Sequence, residues 1–270
     1  MNIEEQKLYL DDLDNGPLVS IIIPVFNAEK HLAETIHSVQ EQTYNNWELL
    51  IIDNCSDDNT LQIISSYTSS KIRVFRTECN SGGPALPRNI GIKNANGEYL
   101  AFLDADDLWS KNKLEIQLFY LKKEDFVCSL ATRIDEEGNV IAQGERIDNK
   151  HYQYCDLVKR NRIINSSVMI SRDKFLPVLF DEDAILNGIE DYHAYLTYAF
   201  NKGSVFLIGE PLIKYRVLVS SLGESISGKK RLAKSSYCLT KVVLTNGAYD
   251  CYIYGMIRRL LSYFKCLLKK

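Results

Sequence analysis

The sequence predicts an α/β fold built on a doubly wound, mostly parallel sheet. Three observations carry that expectation. Val19–Val25 (VSIIIPV) and Trp47–Asp53 (WELLIID) are unbroken runs of mostly aliphatic, partly β-branched residues, the pattern of strands buried on both faces. Segments with helical apolar spacing stand between such runs, as βαβ units require. Acidic residues follow two of the runs, and in doubly wound sheets ligands bind outside the carboxyl ends of the strands.

Taken in order, residues 1–16 read as a lead-in. The strand 19–25 is followed by a helix over 29–42, with Leu32, Ile36 and Val39 on one face. After the strand 47–53, Asp58 or Asn59 can cap a helix over 60–67. A short strand spans 72–75. Pro84 or Pro87 can open a helix that runs to about Ala95. YLAFLD, residues 99–104, is a fourth strand, and 111–122 an amphipathic helix. Beyond this the order becomes mixed. Residues 166–171 alternate like a strand, 190–201 open with two acids and read as a helix, and 204–208 and 212–216 read as short strands. From 229 the pattern is helical and basic.

The chain has 270 residues, 46% of them hydrophobic and 25% charged, which excludes wholesale disorder and fibrous repeats. Its seven cysteines include no CxxC pair, so neither a zinc site nor a disulfide framework is signalled. No stretch approaches the roughly 20 apolar residues of a spanning helix. The net charge of −3 hides an asymmetry. Residues 229–270 carry ten Lys or Arg and one acid, and residues 1–228 carry 22 basic and 34 acidic residues. An acidic body with a basic tail argues against nucleic acid as a partner and for an anionic partner at the tail. In 251–270, CYIYGMIRRLLSYFKCLLKK, a broad apolar stripe is completed by five cations, which suits an anionic membrane interface; packing on protein is the competing expectation.

Asp53 ends the second strand, where it can serve as a turn residue or as a ligand group. Asp104, Asp106 and Asp107 lie within four residues and repel one another, so a bound divalent cation is a natural way to hold them.

At this point the sequence resembles the inverting nucleotide-sugar transferases of glycosyltransferase family 2, which have a GT-A fold. The resemblance is an ordered series rather than one motif. It runs through IIIPVFNAEKHLAETIHSVQEQTYNNWELLIIDNCSDDNT (21–60), GGPALPRNIGIKNANGEYLAFLDADDLW (82–109), GIEDYHAYLTYAFNKG (188–203) and KYRVLVSSLGESIS (214–227). It implies one GT-A domain over 17–228, followed by a basic helical segment, 229–270, that associates with membrane or partner.

The resemblance also implies roles. Pro24, Phe26 and Asn27 lie against a base, and Asp53 accepts its ring N–H. Arg88 faces the diphosphate of the nucleotide-sugar donor. Asp104 and Asp106 match the DxD motif and bind ribose and Mn²⁺ or Mg²⁺, while Asp107 caps the following segment. Asp191 matches the base that deprotonates the acceptor hydroxyl, and Glu190 orients the acceptor or the backbone. The acceptor is a saccharide, free or linked to a polyprenyl diphosphate, in surface polysaccharide assembly such as O-antigen or capsule. The implied location is the cytoplasmic face of the cell membrane. The family often carries a His in the part matching 215–227; here Arg216 stands instead and is expected to contact phosphate. His193 is expected on the helix surface or the acceptor side. Two alternatives fit less well. A nucleotidyltransferase would favour a Gly-rich phosphate loop after the first strand, and PVFNAEKH has no glycine. A degenerate scaffold would not need Asp53, Asp104, Asp106 and Asp191 together.

Overall fold

The structure is a computed structural model and describes residues 16–67, 69–218 and 228–246. The first half is the expected alternation. Strands β1 (Val19–Val25), β2 (Trp47–Asp53), β3 (Ile72–Arg76) and β4 (Tyr99–Phe102) are connected through α1 (Leu32–Gln40), α2 (Thr60–Ser66) and α3 (Ala85–Asn94). The strands pair in parallel in the order β3-β2-β1-β4. Every side chain of β1 and β2 is buried, because successive residues point to opposite layers and both layers are covered. Ile22, Leu50, Ile52 and Phe102 pack with Ala85 and Ile92 of α3. Ile21, Ile23, Leu49 and Ile51 pack with Leu32, Ile36 and Val39 of α1. Helix α3 lies so close to the sheet that a Cβ on Gly91 would sit 2.6 Å from Ile22 Cγ2.

The second half extends the same sheet. Its elements are β5 (Leu108–Trp109), α4 (Lys113–Leu121), β6 (Phe126–Ile134), β7 (Val140–Ala142), β8 (Lys150–Tyr152), α5 (Tyr154–Lys159), β9 (Met169–Ser171), α6 (Arg172–Phe175), α7 (Glu190–Lys202), β10 (Val205–Arg216) and α8 (Gly228–Asn246). The strand order continues β4-β9-β6-β10-β5, with β7 on β6 and β8 on β10. β9 is antiparallel to both β4 and β6, so β6 and β10 run in the direction of β1.

Three expectations change here. The two short strands expected over 204–216 are one twelve-residue strand, β10, with register shifts on either side of Pro211. Of residues 166–171, only Met169–Ser171 is strand; Asn165–Ser167 is a 3₁₀ turn. The boundary at 228 cuts off a helix that belongs to the core. Cys238, Leu239 and Val242 of α8 are fully buried in the cluster that also holds Tyr195 and Leu196 of α7. Lys241 of α8 is 2.6 Å from Asp181 and 3.0 Å from Asp183, and Lys234 Nζ donates to the Asn187 carbonyl at 2.5 Å. The segment 251–270 lies outside the described residues. Among those residues no helix is long and apolar enough to cross a membrane.

Candidate active site

The carboxyl ends of β1, β2 and β4 form one rim, with two groups of polar residues along it. The first lies at β1 and β2. Phe26 follows β1 and is 46% exposed, an aromatic face free to stack. Asn27 holds a left-handed backbone, φ 48°, which Asn tolerates better than most residues. Its amide is committed: Nδ2 donates to Asp57 Oδ1 at 2.7 Å, and Oδ1 accepts the Asp57 N–H at 3.0 Å. Asn27 therefore pins the turn after β1 to the turn after β2. Pro24, expected against a base, is buried within β1 opposite Ile52. It lies past the last β1–β4 pair, Ile22 with Phe102, and lacks the N–H that would extend that ladder. Asp53 is fully buried. It accepts the Ser56 N–H at 3.2 and 3.3 Å, and Arg76 Nε lies 3.2 Å from its Oδ2.

Asn54, which the sequence reading missed, joins this group to the next. Its Oδ1 accepts from Thr77 Oγ1, Ser81 N and Ser81 Oγ, each at 3.1 Å, and so shapes the loop before α3. In that loop Gly82 has φ +79°, and a Cβ on Gly83 would lie 2.3 Å from Asn187 Oδ1. Asn187 Nδ2 donates to the Gly82 carbonyl at 2.9 Å. The loop thus rests on the turn that leads into α7.

The second group is organised by Arg88 of α3. Its side chain, only 4% exposed, sends Nη2 to Asp104 Oδ1 at 2.7 Å and Nη1 to Glu190 Oε1 at 2.6 Å. One guanidinium therefore joins the strand-end acids to the first residue of α7. Burial works against the Arg88 charge, but Asp104 and Glu190 outweigh it and hold its pKa above the ordinary value. Both Nη groups of Arg88 thus serve carboxylates, while Nε is buried with no hydrogen-bond partner among the described residues. Glu190 also accepts the Gly188 N–H at 2.7 Å, which fixes the start of the helix.

One arginine against this many acids leaves negative charge unbalanced. Asp191, half-buried, follows Glu190 and accepts the Tyr192 N–H at 2.6 Å. Burial lifts its carboxyl to about 7, seconded by the charge of Glu190 and opposed by Arg88; Asp104 adds a smaller upward push. Burial and the charge of Asp104 lift Asp106 to about 6. Asp107 is fully buried and raised well above the usual range, by burial first and then by Asp106 and Asp104. Asp107 caps nothing: it accepts the Ser166 hydroxyl at 2.5 Å and the Arg216 N–H at 2.8 Å, tying the β4–β5 turn to the end of β10.

Arg216 is likewise structural. It is buried, and Nε, Nη1 and Nη2 donate to the Asp106 carbonyl, the Glu136 carbonyl and Glu34 Oε2 at 2.7–2.8 Å. These partners hold its guanidinium against the protein rather than leaving it open at the rim. His193 is not a surface residue either. It is buried with Nε2 4.0 Å from Asp181 Oδ2, and neither ring nitrogen makes a hydrogen bond.

The 3₁₀ turn Asn165–Ser167 also enters the site without any signal read from the sequence. Asn165 Nδ2 donates to Asp104 Oδ1 at 2.9 Å, and Asn165 Oδ1 accepts Tyr195 Oη at 2.7 Å. Ser166 Oγ accepts the Asp104 N–H at 3.0 Å.

Asp104 and Asp106 offer hard oxygen ligands at a strand end. Among the described residues, no group of three or more His, Cys, Asp or Glu is placed to hold a metal. Mg²⁺ and similar cations bind through one or two carboxylates plus substrate phosphates rather than in closed protein cages. The residues fit such a cation: Asp104 Oδ2 makes no hydrogen bond among the described residues, and Asp106, raised by burial and then by the charge of Asp104, stands two residues away.

Comparison with known proteins shows the family and the fold. The family model for Glycosyl transferase family 2 matches residues 20–180. A Bacillus subtilis protein assigned as the teichuronic acid biosynthesis glycosyltransferase TuaG is 31% identical over 228 residues, 82% of this chain and 86% of its own. The Escherichia coli UDP-Glc:alpha-D-GlcNAc-diphosphoundecaprenol beta-1,3-glucosyltransferase WfgD is 34% identical over 209 residues, 77% of this chain and 80% of its own. Among solved structures, Staphylococcus aureus TarS 1-349 superposes with a TM-score of 0.70 at 20% identity, over 91% of this chain and 72% of that one. The same protein in complex with UDP gives a TM-score of 0.66 at 21% identity, over 83% and 65%. At that identity the likeness is one of fold.

Proposed function

We propose, for a chain that belongs to glycosyl transferase family 2, transfer of a sugar from a nucleotide-diphosphate donor to a saccharide hydroxyl with inversion at the anomeric carbon. The observation that carries this reading is the Arg88 bridge. It brings Asp104, at the donor side of the rim, and Glu190, beside Asp191, onto a single guanidinium. A carboxylate lifted to about 7 then stands at the start of α7 near the donor group. That is the pKa range in which a general base works best near neutral pH.

In the proposed reaction the acceptor O–H gives its proton to Asp191 as its oxygen bonds to the anomeric carbon. The bond from that carbon to the β-phosphate oxygen breaks on the opposite side, and its electron pair leaves with the nucleoside diphosphate. Glu190 and Arg88 hold Asp191 in place. Phe26, Asn27 and Asp53 form the base end of the site, and UDP is the nucleotide that the relatives' names favour. Asp104 and Asp106 would hold Mn²⁺ or Mg²⁺, which supplies charge neutralisation for the departing diphosphate.

The acceptor is a saccharide on a polyprenyl diphosphate, by analogy with the lipid-linked acceptor named for WfgD, and the setting is surface polysaccharide assembly. The basic segment 251–270 then docks on the anionic inner face of the membrane, where each cation contributes roughly 1 kcal/mol. The test is a panel of nucleotide sugars with Mn²⁺ present, read by nucleoside diphosphate release and by the anomeric configuration of the product. Release with inverted configuration is the expected result. Retained configuration, or no release with any donor, would overturn the reading.

A further inference from the structure

We propose that Asn165 is a positioning residue for the donor side of the site: its amide holds Asp104 with one oxygen open and ties that carboxylate to the helix that carries Asp191. The inference rests on the functional reading above.

The geometry is a closed ring. Asp104 Oδ1 receives both Arg88 Nη2, at 2.7 Å, and Asn165 Nδ2, at 2.9 Å. Two donors on one oxygen fix the rotation of the carboxylate and turn Oδ2 away from protein partners. On the far side, Arg88 reaches Glu190 at the head of α7, and Asn165 reaches Tyr195, one turn further along it. Asp191 and Tyr195 are four residues apart, so they share a face of α7. The ring therefore runs from Asp104 through Arg88 to Glu190, along α7 to Tyr195, and back through Asn165.

Each member suits its place. An ionised carboxylate only accepts, so the NH₂ of Asn165 must face Asp104 and its oxygen must face the phenol. Tyr195 supplies that donor, because burial, followed by the charge of Asp191, keeps its hydroxyl protonated. A neutral amide adds a donor without a second positive charge, so Asp104 keeps its attraction for a cation. Asn165 is itself only 4% exposed, and it opens the 3₁₀ turn whose Ser166 holds the Asp104 backbone. One turn thus fixes both main chain and side chain of this acid. Partners that orient metal-binding carboxylates typically change metal affinity or activity about ten- to a hundredfold when removed.

A purely structural Asn165 would affect stability alone, so the test must read something else. UDP binding is measured by calorimetry with Mn²⁺ and with EDTA, on the full chain and on Asn165→Ala and Tyr195→Phe. Asn165→Ala should lose about ten- to a hundredfold of the affinity that Mn²⁺ adds, and keep the affinity seen in EDTA. Tyr195→Phe retains the ring and should show a smaller loss of the same kind. It also decides the matter if Asn165→Ala does not fold. A Mn²⁺-dependent gain equal to that of the unmodified chain, whatever the melting temperatures, would overturn the inference and leave the functional reading standing. An unmodified chain that binds no UDP in Mn²⁺ would overturn both.

Discussion

Asp53 and Asp191 are both acids at the head of a turn on the same rim, and they are held in opposite ways. Asp53 is fully buried yet fully served: Arg76 lies beside it and the Ser56 N–H points at both of its oxygens. Asp191 has one backbone donor, an acid as its neighbour, and shares its nearest cation, Arg88, with two other carboxylates. The difference is the one expected if Asp53 recognises the donor and Asp191 carries the reaction, as proposed. Asp191, buried and underserved, takes up a proton near neutral pH and can pass it on.

The comparison breaks first at Asp191. Asp191→Asn should bind nucleotide normally and lose about 10²–10⁴-fold in turnover, the usual worth of general base catalysis. Near-normal turnover of a folded variant would assign the base elsewhere. Arg88→Ala comes next. It strands two carboxylates, of which Glu190 is nearly as buried as the arginine, and losing one partner of a buried pair costs about 3–5 kcal/mol. Denaturant unfolding should show that loss; a change well under 1 kcal/mol would mean the bridge does not organise the site.

Asp53→Ala should act on the other side of the comparison. Removing a charged hydrogen-bond acceptor costs about 1.5–3 kcal/mol, which is about ten- to a hundredfold in donor KM, with kcat changing less. A fall confined to kcat would place Asp53 in the chemistry instead.

How far the site was legible follows the same division. Strands β1 and β2, with Asp53 at the end of β2, are plain in the sequence, because a strand buried on both faces needs an unbroken aliphatic run. The acids after β4 are legible as a local cluster that calls for a cation, whereas those of α7 are legible only as members of an ordered series. Their ties are not legible. Ser166 reads as the start of a strand over 166–171, although its hydroxyl and the amide of Asn165 before it turn inward to Asp104 and Asp107. Arg216 looks like a spare cation until Glu34, 182 residues earlier, is found beside it. β10 looks like two strands because Gly209 and Pro211 interrupt the pattern, whereas the chain absorbs them as irregularities in register. Long-range polar pairing leaves no local periodicity to read.

The smallest expected effect is on stability. A carboxyl whose pKa rises from 3.8 when unfolded to about 7 when folded binds more protons in the native state. Its contribution is present in full below pH 3.8 and is lost as pH rises through about 7. Asp191→Asn removes that loss, so the variant should melt a few degrees above the unmodified protein at pH 8, and the gap should close towards pH 5. An equal gap at both pH values would mean that Asp191 is ionised throughout.

The most direct measurement is the pH dependence of kcat/KM, which reports the ionisations of the free enzyme. If Asp191 is the base and burial beside Glu190 sets its pKa, kcat/KM should rise with pH through a single ionisation near 7 and level off above it. A profile that is already flat from pH 5 upward would contradict the account, because the base would then not be a carboxyl lifted to about 7.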